Sequence, residues 1–189
     1  MGKNFSCNNL GQRKKSDFYE THESMVQQLL DREKIEGTVL EPACGHGAIT
    51  RVLSRITPLW SAYDIQMGTD FLDEKEQYDI VLTNPPYSLA FEFIQKAKEV
   101  AREKIIFLLP LSYLHGKKRY DTIWTDKKFP LARIYVFTRY PMLGVPLRHD
   151  GKYPTGMVVY CWMVWERGYK GDPFIKWIDN NQYVIGKGD

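Results

Sequence analysis

Cysteine is scarce in this chain. Three residues, Cys7, Cys44 and Cys161, are spread over 189 positions, and an odd, widely spaced set gives neither a disulfide framework nor a metal-ligand pattern. The four histidines, His22, His46, His115 and His149, are equally scattered, so no metal site is expected. Long apolar runs are missing as well: Ile105 to Leu114 is broken by Pro110, and Met157 to Trp165 is too short to span a bilayer. The N-terminus is polar and lacks an apolar signal region, so the expectation is a cytoplasmic protein with no membrane partner. There are no internal repeats. A length of 189 residues with 43% hydrophobic residues suffices for one sizeable core. The expected organisation is a basic extension over residues 1–16 followed by one domain over residues 17–189.

What is present is a series of short segments at the ends of strand patterns. The most specific is Asn84-Pro85-Pro86-Tyr87, directly after the buried-strand pattern Tyr78 to Thr83 and directly before a helix. The nitrogen of a planar amino group is a poor nucleophile because its lone pair is delocalised. An Asn side-chain oxygen and the backbone carbonyl of Pro85 can accept its two N–H bonds. Pro85 and Pro86 have fixed φ angles and no N–H, so the turn is stiff and offers acceptors without competing donors. Tyr87 offers a flat face for a heterocycle. Read without function, the same four residues make a rigid strand-to-helix turn.

Upstream lies Leu40-Glu41-Pro42-Ala43-Cys44-Gly45-His46-Gly47-Ala48, between the strand pattern Thr38 to Leu40 and an amphipathic helix pattern Ala48 to Ile56. Gly45 and Gly47 let the backbone approach a ligand closely. The full phosphate-binding glycine pattern is absent, and Glu41 would repel a pyrophosphate; it suits a cationic ligand carrying an ammonium and a sulfonium. About twenty residues on, the strand pattern Trp60 to Ile65 carries Asp64, at the spacing where a carboxylate meets ribose hydroxyls in nucleotide-binding α/β units. Asp70 and Phe71, in Gly68 to Leu72, supply an acceptor for an adenine amine and an apolar wall beside the ring. As isolated residues, Asp64 is a turn or helix-capping residue and Asp70 an ordinary loop acid.

In this order the segments resemble the class I S-adenosylmethionine-dependent amino-methyltransferases with an Asn-Pro-Pro-Tyr motif. Within them the chain is most similar to the small adenine-N6 DNA methyltransferases of phages and prophages. The resemblance implies a Rossmann-like α/β fold: a seven-stranded, mostly parallel sheet whose last strand is antiparallel, with helices on both faces. It implies S-adenosylmethionine as cofactor, leaving S-adenosylhomocysteine as product. It assigns the cofactor to Glu41, Pro42, Ala43, Gly45, Gly47, Asp64, Ile65, Asp70, Phe71 and Asn84, and catalysis to Asn84, Pro85, Pro86 and Tyr87. The segment Asp17 to Thr21 resembles the stretch that packs over the methionine end of the cofactor, which adds Tyr19 and Thr21. The tail from Trp162 to Gly168 and from Pro173 to Trp177 is also similar to the C-terminal end of such enzymes.

Charge is uneven. Residues 1–16 hold four Lys or Arg and no acid, residues 17–112 are net acidic, and residues 113–152 hold nine Lys or Arg against three Asp. Lys117, Lys118, Arg119, Lys127, Lys128, Arg133, Arg139, Arg148 and Lys152 alternate there with Tyr113, Tyr120, Trp124, Tyr140 and Tyr153. Interleaved cations and aromatics suit a phosphate backbone and unstacked bases, although a solvated helix face over Lys117 to Lys128 has the same composition. With the catalytic loop, this favours a nucleic-acid partner, DNA above others, touched by Lys117, Lys118, Arg119, Arg139, Arg148 and Lys152.

The remaining pattern is alternating α/β. Helices are predicted over Ser24 to Arg32, Ser88 to Ala101 with Ser88 as N-cap, and Lys117 to Thr125. Strands are predicted over Lys104 to Leu109, Leu131 to Thr138 and, last, Met157 to Trp165, the last buried on both faces. Arg139 to Gly156, with three prolines and three glycines, reads as a mobile loop at the catalytic edge. The chain has no room for the added target-recognition domain of larger DNA methyltransferases. Specificity is then low, or shared across a homodimer, or the substrate is single-stranded. RNA (adenine N6 or guanine N2) and protein glutamine remain alternative substrates, and a non-catalytic binding module is an alternative of another class.

Overall fold

The computed structural model describes residues 20–141, 146–154 and 156–180. Seven strands form one sheet in the order β2-β1-β3-β4-β6-β5-β7: β1 Val39–Glu41, β2 Trp60–Ala62, β3 Tyr78–Thr83, β4 Ala101–Pro110, β5 Leu131–Phe137, β6 Tyr160–Glu166 and β7 Phe174–Ile178. Strands β2, β1, β3 and β4 run parallel. Strand β6 is antiparallel to both β4 and β5, and β7 lies parallel to β5 at the edge. The expected seven-stranded, mostly parallel sheet is therefore present. Its antiparallel strand is the sixth in chain order, because β7 follows the strand read from the sequence as the last. The tail Phe174–Ile178 escaped detection because its burial pattern is exposed except for Ile178, so no core alternation marks it.

Strand side chains alternate between faces, and the interior divides accordingly. Leu40, Val81, Ile105, Phe107, Met163 and Trp165 pack under helix α3, Ala90–Val100, through Phe93, Ile94 and Ala97. Val39, Ile80, Leu82, Ile106, Leu108, Trp162 and Val164 pack under α1, Glu23–Leu30, and α2, Ala48–Leu53. Burial on both faces is why these strands read as near-continuous apolar runs. Helix α3 begins at Ala90, after a 3-10 turn over Tyr87–Leu89, with Leu89 and not Ser88 at the N-cap position. Helix α2 ends at Leu53, one turn short of the expected Ile56. The predicted helix after Lys117 is a single α turn, α4 Lys117–Arg119, continued by a π turn Tyr120–Trp124.

At the amino-terminal edge of the parallel strands, buried Glu33 accepts from Arg133, from the Tyr135 hydroxyl at 2.7 Å and from Lys104 at 3.4 Å. Arg133 also bonds Glu166. A cation of the basic stretch is thus consumed inside the fold. No helix among the described residues is long and apolar enough to cross a membrane, and no group of three or more His, Cys, Asp or Glu that could hold a metal ion occurs among them.

Candidate active site at the carboxyl edge of the sheet

Strands β1, β2 and β3 end at the same edge, and the turns that follow them enclose a cavity of about 310 Å³. Parallel α/β sheets bind ligands at this edge because the helices that follow the strands leave a crevice there. The last residue of β1, Glu41, and the turn after it, Pro42 and Ala43, line the cavity with Asp64 and Ile65 from the turn after β2 and Asp70 and Phe71 from the next loop. Asn84, Pro85 and Pro86 come from the turn after β3, and Thr21 from the segment before α1. Segments spaced over more than sixty residues of chain thus meet in one place.

Glu41 is buried, 2% exposed, and accepts a hydrogen bond from the Thr50 hydroxyl. Burial pushes its carboxyl up to about 7, against the opposing pull of the Thr50 bonds and the Arg51 guanidinium and with the help of the Asp64 carboxylate. The adjacent Cys44 thiol is raised by burial and by the same two acids. Gly47 caps α2 with φ of 77° and Gly45 has φ of 48°, a region that an L side chain rarely adopts. Neither glycine lines the cavity. Their part is backbone: the Gly45 N–H donates to Asp64 Oδ2 at 3.0 Å, which ties the first turn to the second.

Asp64 therefore combines two roles. Its Oδ1 accepts from the Gln66 N–H at 3.0 Å and caps the 3-10 turn Ile65–Met67, while the carboxylate faces the cavity. Asp70 likewise caps Phe71–Asp73 through the Leu72 N–H at 2.9 Å. Phe71 is buried against Phe93, ring centroids 5.0 Å apart. Asn84 Nδ2 donates to Thr21 Oγ1 at 3.0 Å.

Tyr87 is half-buried and does not line the cavity. Its ring packs against Tyr160 at 5.8 Å, and Tyr160 packs against Tyr140 at 4.1 Å. Tyr19 lies outside the described residues. Glu20, Cys44, His46, Leu89 and Phe93 line the cavity unforeseen. His46 and Cys44 had a signal in their place within the glycine turn. Leu89 and Phe93 had one only in following the proline turn.

Lys117, Lys118, Arg119, Arg139, Arg148 and Lys152 follow strands that end at this same edge, since α4 follows β4, and residues 138–159 join the end of β5 to the start of antiparallel β6. Several are engaged internally. Lys117 bonds Asp121 at 2.7 Å, Lys118 sits over the Phe91 ring at 3.8 Å, and Arg119 donates to the His115 carbonyl at 2.8 Å. Arg148 lies 3.5 Å from Asp150. Arg139 is exposed and Lys152 half-buried. Most of the interleaved aromatics serve packing: Trp124 stacks parallel to buried Trp165 at 5.9 Å, Tyr113 meets Trp124 edge-on, and Tyr140 is buried. Among the described aromatics of the stretch, Tyr120 is the well-exposed one, at 58%.

No family model and no curated protein sequence matches the chain; solved structures match it in three dimensions. Magnesium protoporphyrin IX methyltransferase from Synechocystis, with bound SAM, aligns at 17% identity and a TM-score of 0.52, covering 77% of this chain and 79% of that one. The 23S rRNA methyltransferase ErmE aligns at 17% and 0.54, covering 82% and 72%. The M protein of the type I restriction enzyme EcoKI aligns at 14% and 0.55 over 81% of this chain, which spans 44% of that protein. At such identities the likeness concerns the path of the chain.

Proposed function

We propose, for a chain that has the class I, Rossmann-like methyltransferase fold, that it binds S-adenosylmethionine and methylates the exocyclic N6 amine of adenine in DNA. The observation that carries the reading is the single cavity in which the acids of three turns meet Asn84, Pro85 and Pro86. The donor set fits the cofactor. Glu41 matches a cationic methionine end, Asp64 the ribose hydroxyls and Asp70 the adenine amine, with Phe71 as an apolar wall.

When bound, S-adenosylmethionine supplies an electrophilic methyl group. The protein's part is to position and dry the acceptor. Asn84 Oδ1 and the Pro85 carbonyl take the two N–H bonds of the amine, which localises the nitrogen lone pair; the turn's two prolines keep those acceptors in place. No general base is demanded beforehand, since the methylated amine is cationic and releases its proton readily. In duplex DNA the adenine must be flipped out, at a cost of a few kcal/mol. Tyr87, the aromatic that the proline turn carries, is the candidate to stack on a flipped base, and its packing against Tyr160 holds its ring in place. Arg139, Arg148, Lys152 and the α4 cations, all leaving the fold at the cavity edge, are the candidates for phosphate contact.

The test offers radiolabelled S-adenosylmethionine with duplex DNA, single-stranded DNA, ribosomal RNA and cell protein, followed by nucleoside mass spectrometry. N6-methyladenine in DNA is the expected product. N2-methylguanine in RNA, or label in protein alone, would remove the DNA assignment and leave methyl transfer standing. The ErmE likeness makes RNA the second acceptor to examine.

Glu41 adds a pH signature. Its raised carboxyl is protonated in the free protein below about 7, so a cationic ligand must displace that proton. Affinity for S-adenosylmethionine is expected to rise with pH by up to about tenfold per unit below 7 and to level off above it. The same shift acts on the unliganded fold in the opposite sense. A carboxyl whose folded value lies above its unfolded one stabilises the fold at acid pH, and that contribution is lost as pH rises through about 7. Calorimetry between pH 6 and 8 checks the first expectation, and Glu41→Gln should flatten the profile. A pH-independent wild type would place the ammonium elsewhere.

A further inference from the structure

We propose that Thr21 is a positioning residue for Asn84: its hydroxyl holds the amide nitrogen, so that the amide oxygen is the atom presented to the target amine. This rests on the methyl-transfer reading above. The contact spans 63 residues of sequence and joins the segment before α1 to the turn after β3, with Asn84 Nδ2 donating to Thr21 Oγ1 at 3.0 Å. Both residues line the cavity, and Thr21 is 7% exposed.

The need for such a contact follows from the amide itself. One branch of the Asn84 side chain is a donor and the other an acceptor, and the terminal torsion of asparagine is broad and roughly two-fold. Nothing within the residue selects the branch that faces the cavity. A target amine brings only N–H groups, so an inverted amide would set donor against donor. A threonine hydroxyl can donate or accept; here it accepts from Nδ2, and in that state the productive orientation is the bonded one.

Thr21 can hold that orientation because it is itself held on both sides. The Glu20 carbonyl accepts from the Tyr140 hydroxyl at 3.2 Å. On the other side, His22 caps α1, its Nδ1 accepting from the Ser24 N–H at 3.2 Å, and its ring meets Tyr153 edge-on at 5.8 Å. The hydroxyl is thus delivered by a segment anchored to the helix on one side and to the residues after β5 on the other.

Thr21→Val keeps the shape and removes the hydroxyl, and Thr21→Ser restores it. The resemblance gives Thr21 to the cofactor; a residue that instead positions Asn84 should, as Thr21→Val, leave S-adenosylmethionine affinity measured by calorimetry unchanged while kcat on DNA falls about tenfold with little change in KM, the size expected for one lost neutral hydrogen bond. Thr21→Ser should recover most of kcat. A fall in cofactor affinity matching the fall in turnover would make Thr21 a cofactor ligand and overturn the proposal, as would an unchanged kcat in Thr21→Val. If the wild-type protein methylates no acceptor, the methyl-transfer reading fails on its own. The Asn84 side-chain amide signals, identified in nitrogen-15 spectra by their loss in Asn84→Asp, then decide the contact. A shift in Thr21→Val that Thr21→Ser reverses supports the positioning role, and unmoved signals overturn it.

Discussion

Asn84→Ala is expected to lower methyl transfer by about 10²- to 10³-fold, the size seen when a preorganised hydrogen-bonding group aimed at the reacting atoms is removed. Although the resemblance places Asn84 beside the cofactor as well as the target, cofactor affinity should remain close to that of the wild type. The separation follows from the geometry. The acids assigned to the cofactor sit on the turns after β1 and β2 and the loop beyond, whereas Asn84 sits on the turn after β3 and is tied to Thr21. Single-turnover kinetics with saturating S-adenosylmethionine, alongside calorimetry, measures both quantities on one preparation. Losses of equal size in binding and turnover would show that the proline turn shapes the cavity and does not act on the target.

Asp64→Ala is expected to weaken S-adenosylmethionine binding by about 1.5 to 3 kcal/mol, roughly 10- to 150-fold, the usual worth of hydrogen bonds to a charged group. Binding by the unaltered chain should survive EDTA, since the donor set demands no metal. Asp64 also holds the Gly45 and Gln66 N–H groups, so part of the loss in Asp64→Ala could arise from slackened turns. Asp64→Asn separates the contributions: its remaining carbonyl oxygen can still accept from one of those N–H groups, while the charge is gone. A lowered melting temperature in the cofactor-free Asp64→Ala protein, with affinity rescued in Asp64→Asn, would assign the carboxylate to loop support. Unchanged affinity in both variants would remove the ribose assignment.

The site was legible where the chemistry is local. Asn84-Pro85-Pro86 declares its turn through the fixed φ of proline, and Gly45 and Gly47 declare theirs through positive φ. Glu41 and Asp64 stand closely enough to a strand pattern to be placed at its carboxyl end, whereas Asp70 lies in the loop beyond. The two readings of Asp64, as ribose acid and as turn cap, proved compatible, since one carboxylate caps Ile65–Met67 and faces the cavity. Charge counting was less informative. Arg133 belongs to a buried network with Glu33 and Glu166, and Lys117, Lys118 and Arg119 have partners within the fold. A run of cations does not disclose which of them meet acids a hundred residues away.

Local backbone preference and apolar patterning were thus enough, from the sequence by itself, to determine the alternating α/β order and the turns that carry the candidate ligands, while the mostly parallel sheet followed from the family resemblance those turns carry. Tertiary structure alone decided what depends on contacts remote in sequence. It decided that β7 extends the sheet beyond β5, that Tyr87 packs on Tyr160, that Trp124 and Tyr140 belong to the interior, and that Thr21 meets Asn84. The physical reason is range: a turn is set by the dihedral angles of its own few residues, whereas the partner of a side chain is set by which strands become neighbours.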